Sequence, residues 1–197
     1  MLKDVQSHIP INALPLIQEL IEKYPHRLKI VNQRHTKHGD FRVLDSKTFQ
    51  ISLNNSLNQY QFLLTYVHEI AHLVTHLKYR RVKPHGIEWK IAFQHLMLPF
   101  IDPTIFPVEI LPHLANYLKN PKASTDSDVH LSLALKSFEK NSDKNFIFEI
   151  PKGTLFEYNN RTFKMGDKRR TRFACVDLKN DKTYLFSQHA EVKKLTI

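Results

Sequence analysis

The sequence predicts an α+β fold in which a small antiparallel sheet packs against a long helix carrying the pattern HEIAH, and a small C-terminal β module follows. Three observations predict it. Apolar residues recur at helical spacing around residues 14–21 and again across 57–79, short alternating runs fill 28–53, and a second set of such runs begins at residue 145. The 197 residues divide on this reading into a first domain over 1–120, a linker and helical connection over 121–144, and a basic β module over 145–197. With 42% apolar residues the chain can bury one good-sized core and the core of a small appended module.

Each element has its own signature. Leu14, Ile17, Leu20 and Ile21 share one face of a packing helix, with Asn12 as a candidate cap and Pro25 near its end. LKIV, FRVL and FQISL then read as three antiparallel strands with polar turns around His38-Gly39 and Asp45-Ser46. The long helix runs from about Leu57 to Tyr79, and Ser56 with Gln59 resembles a capping box. A further helix spans Gly86 to Leu98, where Ile87, Ile91 and Leu98 share one side, and Pro99 ends it. Residues 100–140 read as mostly helical, broken by the polar loop NPKASTDSD. In the last module FIFEI, TLFEY, RTFKM, TRFACVDL and KTYLFS read as strands, with turns at Lys152-Gly153, Asn159-Asn160, Met165-Gly166 and Asn180-Asp181.

Composition limits the function classes. The single cysteine, Cys175, excludes an internal disulfide and any zinc cluster built on several thiolates, so a metal site must draw on His and carboxylates. No run approaches the roughly 20 apolar residues that cross a bilayer, and MLKDVQSHIPINALP lacks the apolar core of a signal peptide; the expectation is a cytoplasmic protein without a membrane partner. Lys and Arg outnumber Asp and Glu by 29 to 19, a formal charge of +10, and the last 57 residues hold 12 basic and 7 acidic side chains. That balance points to a polyanion, nucleic acid before others. Lys168, Arg169, Arg170 and Arg172 could meet phosphates or form a solvated turn between strands. The neighbours Tyr79-Arg80-Arg81 and Arg172-Phe173 could stack on unpaired bases or simply anchor element ends.

HEIAH carries the chemistry. Successive helical residues advance by about 100°, so His68 and His72 stand one turn apart on one face and can converge on a single ion. Glu69 lies on the flank of that face, where it reaches a water at the metal without binding the metal itself, the place of a general base. On the same helix Tyr60, Leu63, Val67, Ile70, Val74 and Leu77 fall in the opposite sector, while Gln61, Thr65 and His76 join the histidine side. A catalytic zinc takes three protein ligands and keeps one position open. His76 lies about 12 Å along the axis from His68, too far to share an ion with it. His85, after a loop and just before Gly86, can turn back toward the site; His95 and Glu88 are weaker alternatives. One Zn2+ held by neutral histidines would acidify water and polarise a carbonyl, which makes peptide hydrolysis with Glu69 as base the natural reaction.

The stretch from about Ile9 to Leu98 resembles the SprT-like zinc metallopeptidase domain. HEIAHL at His68–Leu73, PHGIEW at Pro84–Trp89 and the basic hairpin RHTKHGDFRV ahead of ISLN carry the likeness. The resemblance implies a zincin-like fold, zinc on His68, His72 and His85, Glu69 as the catalytic residue, a protein or peptide substrate and DNA as a partner. Many bacterial members continue into a cysteine-bearing zinc ribbon; TRFACVDLKNDKTYLFS looks like such a ribbon without its ligands, so no second zinc is expected. A DNA-associated or transcription-related binding protein with a structural or silent zinc site is the alternative, and Glu69 argues against it, since a purely structural site needs no carboxylate beside its open position.

Overall fold

In the computed structural model, residues 2–34, 36–79, 81–139, 144–188 and 190–195 are described. The chain forms two compact units, Met1–Glu139 and Lys140–Ile197. No helix among the described residues is long and apolar enough to cross a membrane.

The first unit begins with helices α1 (Leu2–Gln6) and α2 (Leu14–Lys23). Asn12 does not cap α2; its side-chain amide donates instead to the Thr104 carbonyl at 2.9 Å. Strands β1 (Arg27–Val31), β2 (Gly39–Val43) and β3 (Phe49–Asn54) follow, and the sheet order is β1-β3-β2. β2 and β3 are antiparallel, as expected, but β1 runs parallel to β3, so the sheet is mixed rather than antiparallel. The reason is burial. β3 is buried on both faces, Ile51 and Leu53 on one and Ser52 and Asn54 on the other, and so takes the centre of the sheet. β1 and β2 therefore do not pair as a hairpin; β3 lies between them. Gly39 likewise belongs to β2 rather than to a turn; His35 lies outside the described residues. Arg34 secures the connection: its Nε donates to Asn54 Oδ1 at 2.8 Å and its Nη1 to Ser52 Oγ at 2.9 Å, which satisfies both buried polar side chains.

Helix α3 (Gln59–Lys78) starts at Asn58, not at Ser56: the Asn58 Oδ1 accepts from the backbone N–H groups of Tyr60 and Gln61, both at 3.0 Å. The expected split between a core face and a site face holds for Leu63, Val67 and Ile70, which are buried, but not for Leu77, which is exposed. Phe62, Tyr66, His68 and Glu69 are buried as well, because α3 is covered by the sheet on one side and by helix α4 (Ile87–Met97) on another. On α4 the buried residues are Trp89, Phe93, Leu96 and Met97; Ile87, Ile91 and the adjoining Leu98 do share one side, and that side faces solvent. Helices α5 (Leu111–Leu118) and α6 (Val129–Lys136) complete the core with Leu114, Leu131 and Leu135. The polar segment before α6 also reaches the sheet, where the Asp126 carboxylate pairs with His38 Nε2 at 2.9 Å.

The second unit is an antiparallel sheet ordered β4-β10-β5-β6-β8-β7, with β9 paired to β8. Its strands are β4 (Asn145–Phe146), β5 (Leu155–Tyr158), β6 (Arg161–Lys164), β7 (Lys168–Arg169), β8 (Arg172–Asp177), β9 (Thr183–Ser187) and β10 (Glu191–Lys194). Asn159 and Asn160 both take positive φ in the two-residue turn between β5 and β6, as a tight hairpin requires. Cys175 is fully buried beside Met165, Phe156 and Phe163, the place of a small hydrophobe. Lys168, Arg169, Arg170 and Arg172 stand exposed on the β7–β8 hairpin, with Arg170 at positive φ in its turn.

Candidate metal centre

His68 and His72 project from one face of α3, and His85 comes from the loop between α3 and α4. That loop turns sharply: Gly86 N–H donates to the Lys83 carbonyl at 2.8 Å and His85 takes φ 55°, a left-handed conformation uncommon outside glycine. The turn brings the His85 ring onto α3. The three Nε2 atoms stand 3.2 Å apart for His68 and His85, 3.3 Å for His68 and His72, and 2.9 Å for His72 and His85. Three nitrogens each bound about 2.0–2.1 Å from one tetrahedral ion would lie about 3.4 Å apart, so the cluster already has nearly the dimensions of a ligand set. Among the described residues it is the one group of three or more His, Cys, Asp or Glu side chains able to hold a metal ion.

The other candidates fall elsewhere. His76 is exposed and packs its ring near Phe41 and Phe49, at 5.9 and 5.7 Å. Glu88 lines an open cleft with Tyr79, Arg81 and Val82, and His95 stands exposed near the C-terminal end of α4. Arg80 lies outside the described residues.

Burial sets the charge state of the cluster. Removal from water holds His68 well below the ordinary imidazole value, and its histidine neighbours add to the effect; His72 is lowered to about 4 by burial and by His85; and burial lowers His85 too. All three rings are therefore neutral near pH 7, with lone pairs available. Glu69 moves the other way, pushed up to about 8 chiefly by burial and further by the Asp40 carboxylate, while Arg34, the Phe41 backbone N–H and Lys37 draw it back. A carboxyl so poised can hold or release a proton in the neutral range.

The surroundings of Glu69 escaped the sequence reading. Arg34, Lys37 and Asp40 come from the connection before β2 and from β2 itself, about thirty residues ahead of the motif. One signal was available: Gly39 opens a strand, and a strand glycine marks a close backbone approach. A Cβ at that position would stand 2.7 Å from Glu69 Oε1. Trp89, buried against the histidine rings, was also passed over as a site residue.

Residues 18–107 match the model of the SprT-like family. Protein SprT from Yersinia enterocolitica serotype O:8 / biotype 1B (strain NCTC 13174 / 8081) is 36% identical over 84 residues, covering 41% of this chain and 48% of that protein. The chain thus spans about half the length of this relative. No solved structure matches.

Proposed function

We propose, from the premise that residues 18–107 belong to the SprT-like family, that the protein is a zinc-dependent metallopeptidase with a zincin-like catalytic unit. The observation that carries this reading is the convergence of three neutral imidazoles beside a buried carboxyl on the same helix. The donor set fits zinc: three nitrogen ligands suit a catalytic site with an open position. His68, His72 and His85 would hold the ion, which supplies a Lewis acid that polarises a carbonyl oxygen and acidifies water. Glu69 accepts the proton of the attacking water on its carboxylate and passes it to the leaving amine. Burial and Asp40 raise the proton affinity of Glu69, while Arg34 and Lys37 draw it back. The sheet and α4 cover the rest of α3 and keep bulk water from the buried side of the site.

Glu69→Gln tests the assignment. The variant keeps the size of the side chain and all three histidines, so it should bind zinc with wild-type stoichiometry and fail to cleave a casein-like substrate. Metal-dependent cleavage at the wild-type rate would remove Glu69 from the mechanism.

DNA-associated proteins are the substrates we favour, with residues 145–197 as a basic tether. The support is the net charge of +10 and the exposed cations of the β7–β8 hairpin. Binding through phosphates should weaken steeply with salt, and affinity unchanged between 50 and 200 mM salt would count against the tether.

A further inference from the structure

Metal-binding histidines are usually held in orientation by a hydrogen bond from the ring nitrogen that does not bind the metal, to a carboxylate or a backbone carbonyl. In this cluster the rings meet one another through their three Nε2 atoms, and no carboxylate or carbonyl among the described residues bonds His68, His72 or His85. Something else must fix the rings, because an imidazole on an unconstrained side chain rotates about two torsions.

The Trp89 indole fills that place. It is 1% exposed, and its ring centroid lies 4.5 Å from that of His68, 5.3 Å from His72 and 4.7 Å from His85. No other ring among the described residues lies against all three. Phe93, one turn along α4, stacks on the indole at 5.0 Å with 12° between planes and reaches His68 at 5.6 Å. The wall is thus backed by a second aromatic and rooted in a helix. Trp89 follows the His85-Gly86 turn by three residues, so the element that carries the wall also anchors the loop that delivers the third histidine. The indole N–H is buried with no acceptor among the described residues, so no hydrogen bond of its own accounts for the placement of the ring.

We propose that Trp89 is the positioning residue of the three-histidine centre: its indole is the shared surface against which all three imidazoles are packed, and it orients them in place of a hydrogen-bonded outer shell. The inference rests on the metal reading above. Loss of outer-shell partners ordinarily weakens metal binding about 10- to 100-fold, and the same range applies here.

The test compares wild type, Trp89→Leu, Trp89→Phe and, as a control, Phe106→Leu, whose buried ring meets Tyr60 rather than any histidine. Zinc affinity is measured by competition with a chromophoric chelator, ligand geometry by the visible spectrum of the cobalt form, and folding of the metal-free proteins by circular dichroism. Trp89→Leu should bind zinc about 10- to 100-fold more weakly with an altered cobalt spectrum, Trp89→Phe should recover part of the loss, and Phe106→Leu should melt earlier with unchanged affinity. Trp89 is the only tryptophan in the chain, so cobalt binding to wild type should also quench its emission. A folded Trp89→Leu protein with wild-type affinity and spectrum overturns the proposal, as does a Phe106→Leu loss equal to that of Trp89→Leu. If Trp89→Leu does not fold, Trp89→Phe decides, and unchanged affinity and spectrum in it overturn the proposal. Failure of wild type to bind zinc overturns the metal reading itself, and this inference with it.

Discussion

Replacing Gly39 by alanine isolates the contact between β2 and the Glu69 carboxyl. An added Cβ would stand 2.7 Å from Glu69 Oε1, 2.7 Å from Thr65 Cγ2 and 2.9 Å from Glu69 Cγ. Carbon contacts settle at about 3.5–4.0 Å, so about 0.8 Å of separation must be found. Glu69 is buried and α3 is packed between the sheet and α4, so the shift falls on the Glu69 and Thr65 side chains. Gly39 does not sit at positive φ, so alanine there meets no backbone penalty, and the usual effect of Gly→Ala would be a gain of about 0.4–1 kcal/mol. Overpacking costs about 1–3 kcal/mol and reverses the sign. For a chain of this length that is a fall in melting temperature of about 2–12 °C, followed by circular dichroism. Because the strain falls on Glu69 and not on the histidines, zinc affinity should hold while cleavage drops on the order of 100-fold, the usual effect of a 1 Å misplacement. A Gly39→Ala protein that melts at or above the wild-type temperature with full cleavage would refute the close approach of β2 to Glu69.

Two further outcomes are expected. Gly166→Ala sets a Cβ 2.0 Å from the Ala174 carbonyl oxygen, a backbone atom of a strand held by the 2.9 Å bond from Ala174 N–H to the Asp167 carbonyl; a loss of about 3 kcal/mol or more is expected, and hydrogen exchange in β6 and β8 as slow as in wild type would contradict it. His26 is lowered by burial against the opposing pull of the Tyr24 carbonyl, and its Nε2 accepts from the Tyr66 hydroxyl at 2.8 Å. The unfolded chain therefore takes up a proton below about pH 6.5 that the folded chain refuses, and stability falls from there down to the folded-state value. In metal-free protein His26→Gln should make that slope shallower by up to about 1.4 kcal/mol per pH unit, and identical slopes in urea melts would exclude His26 as a source.

The sequence was most legible where local chemistry decides structure. Periodicity located α2, α3 and α4, and the paired asparagines of the β5–β6 turn announced their own positive φ. It was least legible where tertiary contacts choose between equivalent local solutions. LKIV, FRVL and FQISL read alike as strands, and only burial of β3 on both faces puts it between the other two and makes its pairing with β1 parallel. Ser56 and Asn58 are both good caps, and the choice of Asn58 is fixed from outside the helix, since its amide also donates to the Leu135 carbonyl of α6 at 2.8 Å. Ile87, Ile91 and Leu98 share one side of the α4 region, as their spacing says, but the larger aromatic Trp89 and Phe93 fill the space under the histidines and that side faces solvent.

The site divides in the same way. That His68 and His72 face one point follows from helix geometry alone, and it would hold for HEIAH on any exposed helix. What such a helix would lack is the chemistry of the group between them. An exposed Glu69 would have the ordinary acidity of a carboxylate. Here it is raised to about 8 because α3 is covered by β2, whose Gly39 permits the approach and whose Asp40 adds a like charge, while Arg34 and Lys37 limit the rise. The three histidines and the residues that shift Glu69 thus come from different parts of the chain. His68 and His72 are recognisable from their spacing on one helix and His85 from the turn before α4; Arg34, Lys37 and Asp40 acquire meaning only when the sheet folds over α3.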